Sequence, residues 1–139
     1  MGYKTPFAYT IEFRTSNSSP ADSTDYYIGS INSLLSTSAN IFRHIIPKTG
    51  RITAVVLNAY SGNNPTAENV VFAIRKNNTT DYPVKTIALA GGTVTVANYS
   101  LDIPVTEGDT IELKMSTPAW VTNPTSFQIG GLAFIEVAW

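Results

Sequence analysis

The chain contains no cysteine, and histidine occurs only once, at His44. Without cysteine there can be no disulfide, no thiolate nucleophile and no cysteine-ligated zinc. The sequence has no G-x-S-x-G motif, so a catalytic serine with a general base beside it is not indicated. No apolar run approaches the roughly 18 residues that a membrane span requires. The first ten residues lack a basic region followed by an apolar stretch, so we expect no secretion signal.

Charge is also scarce. Charged residues make up 14% of the 139 residues and the net charge is −1, whereas about 25% is typical of soluble domains. No basic field is available to attract nucleic acid, so we expect no DNA or RNA partner. Most polar residues are instead serine, threonine and asparagine, a composition that favours strands and turns. This surface also suits packing against other protein, and we expect no cofactor and no membrane partner.

Short strands dominate the hydrophobic pattern. Residues 7–13, FAYTIEF, alternate between an apolar and a polar face, which is typical of a half-buried strand. Further strands are predicted at 50–60, 70–77, 110–115 and 127–137. Eight to ten strands with turn signals between them, and no amphipathic helix, predict a single-domain antiparallel β-sandwich or barrel.

Few residues are candidates for chemistry. The interpretation we favour for His44, inside the run IFRHII, is a packed or hydrogen-bonded strand residue; a metal or pH-sensing role is the alternative. Glu107 and Asp109 flank Gly108, which predicts a turn in which Gly108 takes positive φ and Asp109 caps the next strand. Half of a calcium site is the alternative there. The ten acidic residues are dispersed, so paired carboxylates for glycoside hydrolysis are not favoured.

Aromatic residues near strand ends and loops are the candidates for contact with a partner. They can stack on sugar rings, anchor a protein interface or cap the core. Tyr60 and Tyr99 belong to this group. The residues predicted to contact a partner are Tyr26, Tyr27, Tyr82, Trp120 and Trp139.

The second half of the chain carries a resemblance. The runs VTEGDTIELKM (105–115) and FQIGGLAFIE (127–136) resemble the end of trimeric jelly rolls of the tumour-necrosis-factor and complement type. The stretches GDTIELK (108–114) and WVTNP (120–124) are similar to small virion proteins and fibre tips of tailed bacteriophages. The resemblance covers residues 48–139. It implies jelly-roll topology, a homotrimer and a place in a virion.

Three functional hypotheses follow. The first is a capsid decoration protein on the virion surface, with residues 31–139 as the jelly-roll sandwich and residues 1–30 as an anchoring arm with the first strand. Its partner would be the major capsid protein, and a trimer would bury Phe127, Phe134 and Trp139 along its axis. The second is a fibre tip that binds a host receptor or glycan. The third is an enzyme such as a glycan hydrolase, for which the sequence offers no recognisable set of catalytic residues.

Overall fold

The computed structural model describes residues 8–16, 18–29, 35–39, 41–64 and 66–137. These residues form strands and loops, with no helix among them. The ten strands are β1 (Ala8–Arg14), β2 (Asp25–Ile28), β3 (His44–Ile45), β4 (Gly50–Gly62), β5 (Glu68–Lys76), β6 (Thr80–Leu89), β7 (Gly92–Asn98), β8 (Ile103–Val105), β9 (Thr110–Ser116) and β10 (Thr125–Val137).

The strands form two five-stranded antiparallel sheets. The first sheet has the order β1-β10-β4-β7, with β8 also paired to β4, and the second has the order β2-β9-β5-β6, with β3 also paired to β9. The two sheets pack face to face, which confirms the antiparallel β-sandwich. The expected strand at residues 50–60 is β4, and the expected last strand is β10.

Pairing is nested from the chain ends inward. The first strand pairs with the last, β1 with β10, and the next pair is β2 with β9. Inside these lie the pairs β4 with β7 and β5 with β6. The chain therefore runs as a long antiparallel hairpin whose arms alternate between the two sheets.

Alternation along the long strands builds the core. Leu57 and Ala59 on β4, and Phe72 and Ile74 on β5, are almost fully buried, as the predicted period of two requires. The strand β9 adds Ile111, Leu113 and Met115, each 0% exposed. Burying one such side chain contributes roughly 1.5–3 kcal/mol, so these inward rows supply the main driving force for sandwich formation.

Two expected boundaries differ from the observed ones. The run 40–47 is also predicted as a strand by its apolar residues, but among its described residues, 41–47, only His44–Ile45 is a strand. The next amide, that of Ile46, bonds the Asp109 carbonyl at the turn before β9. Within the predicted arm 1–30, β1 and β2 are integral strands of the first and second sheet. The described part of that segment, residues 8–16 and 18–29, therefore contributes two strands to the sandwich.

Candidate functional site

Two of the predicted contact aromatics lie in the core. Tyr26 and Trp120 are each 6% exposed. The Trp120 Nε1 donates to the Ala21 carbonyl at 3.1 Å, and the Ala21 amide donates to the Tyr26 hydroxyl at 2.7 Å. Both rings anchor the loop between β1 and β2, because their polar ends bond its backbone. Their burial places them in packing within this chain.

Two more of these aromatics lie half-buried under cations. The Arg75 guanidinium lies 5.7 Å from the centre of the Tyr27 ring, and Lys76 Nζ lies 5.2 Å from the centre of the Tyr82 ring. Each of the two rings thus makes a cation–π contact within the chain. The fifth predicted contact residue, Trp139, lies outside the described residues.

An ion-pair network crosses the outer face of the second sheet. Asp81 on β6 accepts from Arg75 on β5 at 2.8 Å and from Lys114 on β9 at 2.7 Å. Burial by itself would raise the pKa of Asp81, but the hydrogen bonds from Lys114 and Arg75 outweigh it and hold that pKa below its ordinary value. The charges on this face therefore join three strands to one another.

His44 and Asp109 serve the fold, as the favoured interpretations predict. His44 Nε2 lies 2.7 Å from the Glu12 carbonyl oxygen, and burial lowers the pKa of His44. At the predicted turn, Gly108 has φ +92°. Asp109 accepts from the Thr106 amide at 2.8 Å and from Asn77 Nδ2 at 3.0 Å, and these bonds, that from Asn77 foremost, lower the pKa of Asp109.

Neither a metal cluster nor a membrane-spanning helix occurs in the part of the chain that the structure describes. No group of three or more histidine, cysteine or acidic side chains is placed there to hold a metal ion. No helix there is long and apolar enough to cross a membrane.

The outer face of the first sheet carries a groove. Strand register places Arg14, Gly130, Asn58 and Thr95 in one row across four strands. The adjacent row holds Gln128, Tyr60 and Thr93. Apart from Thr95, the residues of these two rows line, together with their neighbours, an open groove of about 600 Å³, which is within the range of roughly 300–1,000 Å³ typical of ligand sites.

Gly130 creates the depth of this groove. It lies in the middle of β10 between Arg14 and Asn58, and a Cβ built on it would meet nothing within 4 Å. A glycine weakens a strand interior, and such a position often marks a place where a ligand or backbone approaches closely. The missing side chain leaves a gap in an otherwise continuous row.

The wall of the groove is an aromatic ring with polar neighbours. Tyr60 is 42% exposed, although it lies inside a long strand. The Thr95 hydroxyl donates to Asn58 Oδ1 at 3.2 Å, which leaves the Asn58 Nδ2 amide as the end that can donate to a ligand. Arg14 Nε is paired with Glu12 at 2.8 Å. The groove thus combines an aromatic face, amides and hydroxyls with little net charge.

An apolar stripe lies beside the groove on the same face. Leu132 pairs directly with Val56, and Phe134, two residues further along β10, is 39% exposed. We define Phe134, Leu132 and Val56 as the apolar stripe. Phe127, which we expected on a trimer axis, is 0% exposed in the core. That expectation is wrong for Phe127, because its position in β10 points inward.

Sequence reasoning noted Tyr60 but missed the groove. Two features of the sequence pointed to the groove: Tyr60 at the end of a long apolar strand, and the glycine pair at 130–131 in the last strand. Neither signal marks a site alone, because the two meet only through the pairing of β10 with β4. No known family model matches the chain, and no curated protein compared with it is a significant match.

Proposed function

We propose that this protein is a non-enzymatic structural protein of a tailed-bacteriophage virion. It binds the assembled shell as a capsid decoration protein, with the major capsid protein as its partner, and it works as a homotrimer. The resemblance of residues 48–139 to small virion proteins supports this role. The motif region 108–114 covers the end of the turn before β9 and most of β9, and the region 120–124 lies in the loop that leads to β10.

Jelly-roll topology is part of the same proposal. Support comes from the nested pairing, in which β1 pairs with β10 and β5 with β6 at the centre. Eight paired strands that alternate between two sheets are what a jelly roll requires. The short strands β3 and β8 are then additions beside β9 and β4.

The observation that carries the assembly proposal is the apolar stripe. A half-exposed phenylalanine next to Leu132 and Val56 presents apolar area on a wide sheet face. Burying a fully exposed phenylalanine contributes roughly 1.5–3 kcal/mol, so covering a ring that is 39% exposed contributes about 1 kcal/mol. Apolar, aromatic centres are typical of homo-oligomer interfaces. A trimer that packs these faces together covers the stripe, and its other surfaces contact the shell.

The assembly is tested by mass and by co-sedimentation. We expect sedimentation-equilibrium measurements on the pure protein to give three times the mass of one 15.0 kDa chain, and the protein to pellet with empty capsid-like shells. Protein that stays in the supernatant at every shell concentration contradicts the decoration role. A monomer across the accessible concentration range contradicts the trimer.

A matched pair of variants locates the trimer contact. Phe134→Glu places a charge in the apolar stripe and is expected to give monomer, since an unpaired charge is costly to bury. Val71→Glu changes a residue of similar exposure, 43% against 39%, on the outer face of the second sheet, and is expected to leave the trimer intact. Circular dichroism checks that both variants fold. A trimeric Phe134→Glu protein would move the interface elsewhere.

A second function, saccharide binding by a fibre tip, is favoured by one specific observation. The Gly130 groove has an exposed aromatic wall and polar groups of little net charge. It is not formed by Tyr82 or Trp120, the loop aromatics from which the sequence led us to expect glycan contact.

A further inference from the structure

We propose that the groove around Gly130 is a binding site for a neutral saccharide. In this site the Tyr60 ring stacks on one face of a sugar, and Asn58, Gln128 and Thr93 exchange hydrogen bonds with its hydroxyls. The inference rests on the second function named above and specifies its ligand class and contacts, and it requires neither the trimer nor a capsid.

The chemistry of the lining selects the ligand class. A pyranose offers an apolar C–H face and a rim of hydroxyls, so it matches an aromatic face beside amide and hydroxyl groups. Tyr60 supplies the face at 42% exposure, and Asn58 is already oriented by the Thr95 hydroxyl. An apolar ligand would offer no hydrogen-bond partner to the Asn58 amide or the Thr93 hydroxyl, which is unfavourable.

Charge within the groove argues for an uncharged sugar. Among the described residues that line the groove, Arg14 alone is ionic, and its guanidinium is paired with the Glu12 carboxylate at 2.8 Å. The Glu12 carboxylate offsets the charge of this cation and repels an anionic saccharide. A neutral saccharide accepts a hydrogen bond from the guanidinium while the ion pair stays in place.

The floor of the groove is shaped for close approach. Gly130 lies between Arg14 and Asn58 in the register, and the Gln128–Tyr60 pair lies beside it in the neighbouring row. A larger residue would fit sterically at this position, since an added Cβ meets nothing within 4 Å. A side chain at 130 would nevertheless fill the depression against which the sugar lies.

The groove and the apolar stripe adjoin on one face, with Leu132 two residues from Gly130, but their aromatic residues Tyr60 and Phe134 lie far apart. Tyr60 is six residues beyond Ala54, the β4 partner of Phe134, which corresponds to about 20 Å along a strand. A second copy of the chain is centred on Phe134, whereas the sugar is centred on Tyr60. Variants at Phe134 and Tyr60 therefore separate the two occupants.

The test is a titration of the full-length protein with short neutral oligosaccharides of glucose, mannose, galactose, xylose and N-acetylglucosamine. Amide chemical shifts and isothermal calorimetry are the readouts. We expect at least one neutral oligosaccharide to bind and to shift amides of β4 and β10 around residues 58–60 and 128–130. Sialylated and uronate oligosaccharides are expected to bind more weakly. Preferential binding of the acidic sugars, or no binding by any sugar in the panel, overturns the proposal.

Three variants locate the site. Tyr60→Ala removes the stacking face and is expected to weaken binding about tenfold. Gly130→Val fills the groove without a backbone clash and is expected to abolish binding while the fold is retained. Tyr99→Ala is the matched control, because Tyr99 is 73% exposed and does not line the groove. Equal loss of binding in Tyr99→Ala and Tyr60→Ala, or full binding by folded Gly130→Val, rejects this site.

Shell binding is measured on the same variants. Retained co-sedimentation with loss of sugar binding separates the two functions and supports the groove. Sugar binding without co-sedimentation leaves the groove intact and rejects the decoration role instead.

Discussion

Two neighbouring glycines in β10 meet very different surroundings. Gly130 points outward, where an added Cβ meets nothing within 4 Å. Gly131 pairs with Leu57, and an added Cβ there would collide with the Val56 carbonyl oxygen and with the Leu57 backbone and side chain. One glycine leaves space for a ligand, and the other allows two strands and a core side chain to pack closely.

Substitution by alanine is expected to have opposite effects at the two positions. Gly130→Ala should raise the free energy of unfolding by about 0.5 kcal/mol, because the unfolded chain loses conformational freedom. Gly131→Ala should lower it by roughly 1–3 kcal/mol, because the backbone must move to admit the methyl group. Urea unfolding of both variants and the parent measures this difference. Equal stabilities would show that β10 shifts freely away from β4.

The tyrosines show what a single residue type cannot indicate. Tyr26 is buried, Tyr27 and Tyr82 lie under cations, and Tyr60 and Tyr99 are 42% and 73% exposed. All five lie near strand ends or loops in the sequence, so local pattern did not separate them. The sheet face toward which each strand turns its residues decides which ring a partner can reach.

At the scale of elements, ion pairs join the strands of the second sheet. Asp81 on β6 lies between Arg75 on β5 and Lys114 on β9, and Lys114 Nζ also lies 3.6 Å from Asp25 on β2. The network therefore spans all four strands of the ordered path β2-β9-β5-β6. A network of this kind contributes more than isolated surface pairs, because its members restrain one another.

Asp81→Asn is expected to lower stability by about 1 kcal/mol at neutral pH. The pKa of Asp81 is lowered in the folded protein. Its contribution is therefore present above the ordinary value of 3.8 and is lost as the pH falls through the folded pKa. Parent and variant should thus converge in acid. Chemical denaturation across the acidic range measures the two curves.

Asp102→Asn is the matched control for this experiment. The Arg51–Asp102 pair has side chains 56% and 74% exposed, so its loss is expected to have almost no effect. If the free energies of unfolding of the parent and Asp81→Asn still differed at the acid end of the range, Asp81 would act by packing and not by charge.

At the scale of the whole molecule, the nested pairing brings distant parts of the chain together. Ala8 pairs with Glu136, and Asp25 pairs with Ser116. Among the ten strands that the structure describes, only β5 and β6, joined by the short turn at 77–79, form a local hairpin. Most pairings therefore close long loops, whose entropy cost must be met before the contacts form.

Refolding is consequently expected in the millisecond-to-second range, as for other sandwiches with non-local pairing. Trp120 is 6% exposed, so its fluorescence reports formation of the core. The variant Trp139→Phe makes Trp120 the only tryptophan of the chain. Stopped-flow dilution from urea gives the rate, and complete refolding within microseconds would contradict control by non-local pairing.

The sequence by itself determined the class of fold and most strands, because period-two alternation and turn residues act locally. It also predicted the Gly108–Asp109 turn, where φ is +92°, and the structural role of His44. Tertiary structure decided which aromatic rings are buried and where a groove opens. Tyr60 and Gly130 lie 70 positions apart and share a face only because β4 and β10 pair in one register. Register is a long-range property, since a slip of one residue turns every side chain to the opposite face.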